Sequence, residues 1–398
     1  MSMVGAIILS IIIGIAAFFI HPLLYIGLAL MGLIGWQRVR REREHFHTRV
    51  LRIRADYVVP FLPGLIAGSL LSLVTIVIGL TVSIDWLWLL LIVYLLTVVT
   101  MNIRWISPAY VGAFMIGVVL LAPFVTTGWP WFDERLQSAS QIPVLVIMYL
   151  TVLLLSAEGM LIAKRGGSFS SPVVVRSKRG KWVGFHRVKR LWLLPVVLFI
   201  PEGAIPTFSF WPILTVAGVS LQPLVVPFLI GTDFKVWSSL PKVVSRKVGN
   251  QVLGLALTLA LIVCITWYVP WLSVLFAIVA IVGREGIHLM AKIKDRSSTS
   301  LFTNQGTGCK VLGILPGSPA EKMGIKIGET ILRVNGKMVN NEYSFYEALQ
   351  ENSAFCRLEV IDKAGEVRFA QGALYDGEHH QLGVLLVKED HELQDSVI

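Results

Sequence analysis

VLGILPGSPAEKMGIKIGETILRVNG, at residues 311–336, is divided by its turn residues into a strand, a short helix and a second strand. Ser318 is a favourable N-cap, and Pro319 suits the first position of a helix. Gly324 suits the C-terminal cap of that helix, and Asn335-Gly336 is a strong signal for a β-hairpin. The residues that define these turns and caps are Pro316, Gly317, Ser318, Pro319, Gly324, Gly328, Asn335 and Gly336. The stretch therefore predicts a small α+β unit.

The order of these elements resembles that of a bacterial PDZ domain, in which a strand precedes a PGSPA-type helix start, a second strand and an Asn-Gly turn. The resemblance implies a domain that binds an extended peptide as an added strand at a sheet edge. Glu329 stands where the family has aspartate, and no GLGF-like carboxylate-binding loop precedes the stretch. The nearest candidate for that loop lies close to the C-terminus, at residues 382–385, as in circularly permuted bacterial versions.

By the same resemblance, a peptide would bind between the strand at residues 382–386 and a helix at residues 344–350. Ser344 is expected to cap this helix, and Phe345 and Ala348 are expected on its apolar side. The residues predicted to bind a peptide are Leu382, Gly383, Val384, Leu385, Ser344, Phe345 and Ala348. A second interpretation stays open, in which residues 382–387 only close the sheet.

The rest of the chain is too apolar for a soluble protein. Of 398 residues, 55% are hydrophobic and 15% are charged, and the mean hydropathy is +0.71, whereas soluble proteins have about 25% charged residues. Apolar runs of about 18 residues or more indicate membrane spans. We predict a polytopic α-helical membrane domain of about 8–10 spans at residues 1–296, followed by a small α+β PDZ-like domain at residues 297–398. The predicted spans are 4–20, 58–82, 86–100, 108–125, 142–163, 191–206, 208–230, 251–268 and 272–290. Pro22 interrupts the first apolar stretch, residues 4–36, which forms one helix or two.

The positive charge is concentrated between the apolar runs. Residues 297–398 contain nine Lys and Arg against 14 Asp and Glu, so the first 296 residues carry a net charge of +15. The loop at residues 164–190 has nine basic residues and no acid, and residues 38–54 and 235–247 are also basic. Cytoplasmic loops collect Lys and Arg, so we predict that these segments and the C-terminal domain are cytoplasmic. Membrane topology accounts for the charge, and the predicted partner is membrane lipid rather than nucleic acid.

The sequence has no recognisable catalytic or metal-binding pattern, so we predict neither an enzyme nor a cofactor. Its eight histidines do not form the HExxH motif of a membrane metalloprotease, and no GxSxG or Walker motif is present. Glu285 and His288 are expected at a helix end at the membrane interface. Glu158 and Glu202 lie near membrane depth, where charges are candidate functional groups, and we expect structural or interfacial roles for both.

The combination of many spans, a cytoplasmic PDZ-like domain and no catalytic site resembles the architecture of the MinJ-type membrane adaptors. These adaptors place the division septum in Gram-positive rods. The PDZ-like motif and the overall architecture carry this resemblance. It implies a location at septum and poles, and a link between a DivIVA-like polar scaffold and a MinD-like ATPase, with protein C-termini as possible PDZ ligands. One alternative is a PDZ-containing membrane-protease cofactor or degenerate intramembrane protease. The other is a transporter with a regulatory PDZ domain.

Overall fold

The computed structural model describes residues 3–177, 180–208, 211–213, 219–303, 307–352, 354–362, 364–374 and 382–387. The helices described in the N-terminal part are α1 (Met3–Ile20), α2 (Pro22–Phe46), α3 (Ala55–Ile78), α4 (Ile84–Val99), α5 (Pro108–Leu121), α6 (Pro130–Ser140), α7 (Val144–Leu161), α8 (Pro241–Thr266) and α9 (Leu272–Ser297). Six of them, α1, α2, α3, α7, α8 and α9, are long and apolar enough to cross a membrane, and α4 and α5 are shorter apolar helices. The apolar helices indicate a membrane protein.

The first apolar stretch forms two helices. α1 ends at Ile20, and His21 caps α2, because its Nδ1 accepts a hydrogen bond from the backbone N–H of Leu23 at 3.2 Å. Pro22 occupies the first position of α2, where the missing N–H would have no helical partner. α2 then continues through the arginine-rich segment to Phe46.

Two segments predicted as membrane helices contain strands instead. Residues 191–205 lie in β2 (Trp182–Ile205) and residues 221–230 lie in β3 (Leu221–Val236), and the two strands form an antiparallel hairpin; residues 209–210 and 214–218 of the second segment lie outside the described residues. The helical prediction was wrong because a fully buried strand and a buried helix have the same uniformly apolar sequence. Four prolines, which disfavour a regular helix, lie within the two strands themselves, namely Pro195, Pro201, Pro223 and Pro227.

The hairpin lies against the helices, which satisfy backbone groups along its edge. Pro195 pairs with Pro227, so this pair exchanges no backbone hydrogen bond and its carbonyl groups point outward. The hydroxyl of Ser72 in α3 donates to the carbonyl oxygen of Pro195 at 3.3 Å, and that of Thr75 donates to the carbonyl oxygen of Val197 at 2.6 Å. Backbone outside a helix is tolerated at membrane depth only where protein or water covers it, and α3 supplies that cover.

α3 packs closely against the hairpin through its glycine residues. A Cβ atom at Gly68 would lie 2.5 Å from the carbonyl oxygen of Pro195, and one at Gly64 would lie 2.5 Å from that of Leu193. Residues 191–200 of β2 pair with residues 222–231 of β3. Ten residues of strand span about 33 Å, close to the roughly 30 Å of a hydrocarbon core. The hairpin therefore has the length of a membrane span in each direction.

One end of the bundle carries a concentration of eight Lys and Arg residues and is called the basic end below. It comprises the C-terminal half of α2, residues 182–190 of β2, and β1 (Ser171–Arg176), which pairs with the start of β2. Residues 164–190, predicted as a loop, therefore contain a strand pair. Arg38 of α2 is buried there between two carboxylates, Glu42 at 2.9 Å and Asp56 at 2.8 Å.

The C-terminal part is a sheet with two short helices. Its strands are β4 (Cys309–Ile314), β5 (Thr330–Val334), β6 (Lys337–Met338), β7 (Phe355–Ile361), β8 (Val367–Ala373) and β9 (Val384–Leu386), and its helices are α10 (Pro319–Lys322) and α11 (Glu342–Gln350). The sheet order is β8-β7-β5-β4-β9, with β6 paired to β5. Ser318 caps α10, and Asn335 and Gly336 both have positive φ, as a type I′ hairpin turn requires. The predicted fold class, an α-helical membrane domain followed by a small α+β domain, is confirmed.

The sheet packs directly on the basic end of the bundle. Val174, Phe302, Leu312 and Val387 form a buried apolar cluster between the two parts. His186 of β2 is buried beside it, with Nε2 2.8 Å from the carbonyl oxygen of Leu312 in β4. The domain boundary that we predict at residue 297 stays a prediction; α9 ends at Ser297.

Candidate peptide-binding groove

β9 is the edge strand of the C-terminal sheet in the part of the chain that the structure describes. It pairs antiparallel with β4, through Val384↔Ile314 and Leu385↔Gly313. No other described strand pairs with it, so its second edge has the arrangement that strand addition requires.

A groove runs between β9 and α11 and contains a cavity of about 160 Å³. Gly383, Val384 and Leu385, three of the residues predicted to bind a peptide, line one side of it. Glu342 and Tyr346 of α11 line the opposite side. The geometry thus brings the predicted strand and the predicted helix together around one groove.

The remaining predicted residues lie beneath or beside the groove. Phe345 and Ala348 are buried in the core of the sheet domain, as is Leu382. Ser344 stabilises the start of α11: its backbone N–H donates to Oδ1 of Asn341 at 2.7 Å, and its hydroxyl accepts from the Asn341 N–H at 3.2 Å. Asn341, rather than Ser344, is therefore the N-cap.

Gly383 shapes the loop that leads into β9. Its φ is +84°, in the left-handed region that favours glycine. A Cβ atom there would lie 2.2 Å from Cβ of Ser318, so no larger residue fits. The Gly383 carbonyl oxygen accepts a hydrogen bond from the N–H of Leu315 at 2.8 Å, which ties the loop to the end of β4.

The end of α2 forms a third wall of the groove. Phe46, His47 and Thr48 line the cavity together with β9 and α11. His47 has a positive φ of 55° and ends the helix, since its N–H donates to the carbonyl oxygen of Arg43 at 3.0 Å. The groove is therefore built jointly by the C-terminal sheet domain and the membrane part of the chain.

Buried charges fix this third wall. Glu42 accepts hydrogen bonds from the N–H of Val50 and the hydroxyl of Ser171, both at 2.9 Å. Arg38 donates to the carbonyl oxygens of Leu51 and Arg52, both at 3.1 Å. The loop after α2 is thus held to β1 and to the helix itself, and hydrogen bonds to charged groups are among the stronger ones in proteins.

Tyr346 supplies a phenol hydroxyl to the groove. Burial raises the pKa of its hydroxyl to about 12, and the neighbouring carboxylate of Glu342 acts in the same direction. The side chain is therefore a neutral phenol at physiological pH, and its O–H can both donate and accept a hydrogen bond.

Glu329 occupies the position at which the PDZ pattern has aspartate. Its carboxylate is 3% exposed and lies 2.7 Å from Nη2 of Arg368 in β8. It also accepts the N–H of Lys326 at 2.8 Å, which closes the turn before β5. The longer side chain thus joins a turn to the far edge of the sheet.

The polar groups considered for catalysis or transport are engaged or exposed. Glu285 lies 3.0 Å from Nη2 of Arg104 and accepts from the Tyr110 hydroxyl at 3.1 Å. Glu158 is buried against Arg284, whereas Glu202 is an exposed residue near the end of β2. Among the described residues, no three His, Cys, Asp or Glu side chains form a group that could hold a metal ion.

Four of the residues that line the groove were not predicted from the sequence, namely Tyr346, Phe46, His47 and Thr48. Tyr346 could have been found, because it follows Phe345 and therefore lies on a different face of α11 from the core residues. Phe46, His47 and Thr48 gave no local signal, since they precede the PDZ-like motif, which begins at residue 311, by more than 260 positions.

Fold and groove define a membrane protein with a PDZ domain. The PDZ family model matches residues 310–361. The whole chain is 34% identical over 379 residues to the cell division topological determinant MinJ of Bacillus subtilis strain 168, covering 94% of both chains. It is 27% identical over 392 residues to the probable cell division topological determinant MinJ of Lacticaseibacillus paracasei, covering 94% of this chain and 99% of the relative. The chain belongs to the MinJ family of cell division topological determinants.

Proposed function

We propose that this chain is a membrane adaptor that positions the division septum by binding other division proteins. Its apolar helices hold it in the bilayer, and its PDZ groove binds an extended segment or C-terminus of a partner. The partners proposed from the family resemblance are a DivIVA-like polar scaffold and a MinD-like ATPase. Confinement to one surface raises effective concentration, so that several weak contacts can add.

The observation that carries this proposal is the position of the groove. An edge strand, a helix face with a half-buried phenol, and the end of a membrane helix meet around a single cavity. Strand addition at such an edge uses backbone hydrogen bonds for affinity and side-chain pockets for specificity. The B. subtilis relative is a cell division topological determinant, and an adaptor that places the septum is consistent with that role.

We place the basic end of the bundle and the PDZ domain in the cytoplasm, at the septum and the cell poles. The support is the concentration of Lys and Arg at that end, together with the usual cytoplasmic bias of these residues. In this topology the hairpin of β2 and β3 crosses the bilayer twice and returns to the same side. The groove then faces the cytoplasm next to the inner leaflet.

Affinity purification of the full-length protein tests the groove. Tyr346→Ala removes a side chain that lines the cavity, and Tyr343→Ala removes an equally large side chain from the exposed side of the same helix, where it is 72% exposed. We expect Tyr346→Ala to lose a DivIVA-like or MinD-like partner and to misplace septa, while Tyr343→Ala behaves as wild type. Equal recovery of both partners by the two variants would contradict a role for the groove.

Localisation tests the adaptor role separately from the groove. A fluorescent fusion is expected at septa and poles, and deletion is expected to displace septa from midcell. An even distribution round the membrane, with normal septa after deletion, would reject the adaptor proposal whatever the groove binds.

A further inference from the structure

Five basic side chains surround a small pocket at the basic end of the bundle. They form the cation cluster, which consists of Arg38, Arg41, Arg187, Lys189 and Arg190. Three carboxylates touch members of the cluster, namely Glu42, Asp56 and Asp233. The acids therefore neutralise only part of the positive charge, which leaves an excess of two.

All three carboxylates form their ion pairs with only two of the five cations. Arg38 is bonded to Glu42 and Asp56. Arg187 forms a two-bond pair with Asp233, at 2.9 Å and 2.5 Å. Such forked pairs fix the guanidinium plane, so these two arginines are committed to structure.

The other three cations bond only to neutral acceptors within the described part of the chain. Nε of Arg41 donates to the carbonyl oxygen of Gln37, and Nζ of Lys189 donates to the side-chain oxygen of Gln37, each at 3.2 Å. Arg190 donates to the carbonyl oxygen of Phe169 at 3.1 Å. No described carboxylate lies within ion-pair distance of Arg41, Lys189 or Arg190.

Arg190 lines this pocket and carries an unused buried donor. The residue is only 6% exposed, and its buried Nε has no hydrogen-bond partner. A buried donor of a charged group without a partner is costly, and an anion in the pocket would offset the charge of this guanidinium. Positive charges that only serve membrane topology can remain in water, whereas this one is held inside the fold.

The depth of the pocket matches that of lipid phosphates. Lys189 and Arg190 directly precede the apolar stretch of β2 that begins at Leu191, where the pairing partner in β3 is Gly231. Basic pockets at this level between membrane-spanning elements bind lipid head groups. The same chemistry would also fit a soluble phosphate.

We propose that Arg41, Lys189 and Arg190 bind the phosphate group of an anionic ligand in this pocket. Guanidinium and ammonium groups are strong donors to phosphate oxygens. The site lies apart from the peptide groove and is independent of the proposed partners.

Binding of phosphatidylglycerol to the purified full-length protein, measured by native mass spectrometry, tests the site. The double variant Arg41→Ala/Lys189→Ala removes two of the three cations that have no carboxylate partner among the described residues. It should retain bound lipid at least about tenfold more weakly than wild type, because two charged hydrogen bonds are lost. Arg41→Lys/Lys189→Arg keeps both charges and should retain the lipid.

A matched control removes the same charge at the same end of the bundle. Arg43→Ala/Arg49→Ala replaces two exposed arginines outside the pocket and should leave lipid retention unchanged. Thermal unfolding in neutral detergent checks that all variants are folded. Equal loss of lipid in the control and in Arg41→Ala/Lys189→Ala would overturn the proposal.

A second arm separates the two sources of phosphate. Inorganic phosphate is titrated into the wild type and the Arg41→Ala/Lys189→Ala variant by calorimetry. Lipid binding that depends on these residues without phosphate binding assigns the pocket to a head group. Phosphate binding that depends on them, without an effect on lipid, assigns it to a soluble ligand. If neither ligand depends on the two residues, the pocket is not a phosphate site.

Discussion

Glu158 of α7 and Arg284 of α9 form a buried ion pair, with 2.8 Å between the carboxylate and Nη2 of the guanidinium. Their side chains are 0% and 5% exposed, and the hydroxyl of Ser107 also donates to the Glu158 carboxylate at 2.5 Å. Two charges in such surroundings are tolerated because each satisfies the other, and the loss of either one leaves the partner unpaired.

Glu158→Leu is therefore expected to destabilise the protein by about 3–5 kcal/mol, because Arg284 becomes an unpaired buried charge. The double variant Glu158→Leu/Arg284→Met should recover most of that loss. Thermal unfolding of the purified protein in detergent measures both. A single variant as stable as wild type would show that water reaches Arg284.

Gly68 should be essential to the contact between α3 and the hairpin. Gly68→Leu places a side chain where a Cβ atom would already lie 2.5 Å from the carbonyl oxygen of Pro195, so the expected loss is several kcal/mol, at the upper end of the about 0.5–3 kcal/mol of most substitutions. Gly117→Leu is the matched control, since no atom lies within 4 Å of a Cβ there. The yield of folded protein and its unfolding temperature distinguish the two variants. Similar values for both would contradict the close packing.

His186 makes the contact between the basic end and the PDZ domain sensitive to pH. It lies before the apolar stretch of β2, and burial lowers its pKa from 6.5 to about 4. The docked state therefore keeps the ring neutral, whereas an undocked His186 takes up a proton below about pH 6.5. The docked state is fully stable above that value and loses about 1.4 kcal/mol per pH unit as the pH falls towards 4, or about 2 kcal/mol at pH 5.

Unfolding temperatures of wild type and His186→Gln between pH 7 and pH 5 measure this effect. Glutamine has no charge to gain in this range, so the variant should lose less stability than wild type on acidification. Parallel pH curves for the two proteins would assign the pH dependence to other groups.

The shared groove predicts that residues from both parts of the chain contact the same partner. A photoreactive amino acid at His47, in the third wall, should crosslink the same protein as one at Tyr346 of α11. One at Arg43, an exposed residue one turn earlier in α2, should not. Crosslinked products from intact cells are identified by mass spectrometry. Capture at Tyr346 but not at His47 would show that the ligand leaves the groove before it reaches α2.

Local chemistry made the PDZ fold predictable. The second strand predicted within residues 311–336 is β5, Thr330–Val334, and the cap at Ser318 and the turn at Asn335-Gly336 have the expected geometry. Each of these features depends on side chains or φ angles within a few residues, so the local sequence is sufficient to predict it.

The hairpin could not be predicted in the same way. Its backbone is stabilised by contacts with residues more than 100 positions away, such as the hydroxyls of Ser72 and Thr75. Hydrophobicity alone does not distinguish such a strand from a helix, although the four prolines within β2 and β3 disfavour a regular helix. The third wall of the groove was missed for a similar reason, because only the tertiary fold brings Phe46 to β9.

β2 has a mechanical consequence. It pairs continuously with β1 and then β3 from Trp182, which packs beside the PDZ domain, to Pro201, where the register with β3 shifts; this is a distance of about 65 Å for an extended strand of 20 residues. Helices joined by loops can absorb a displacement by sliding past one another, but a strand that is hydrogen-bonded along its length behaves as a stiff rod. A force applied where β2 ends, on the far face of the bundle, would therefore be transmitted along this rod to the PDZ domain.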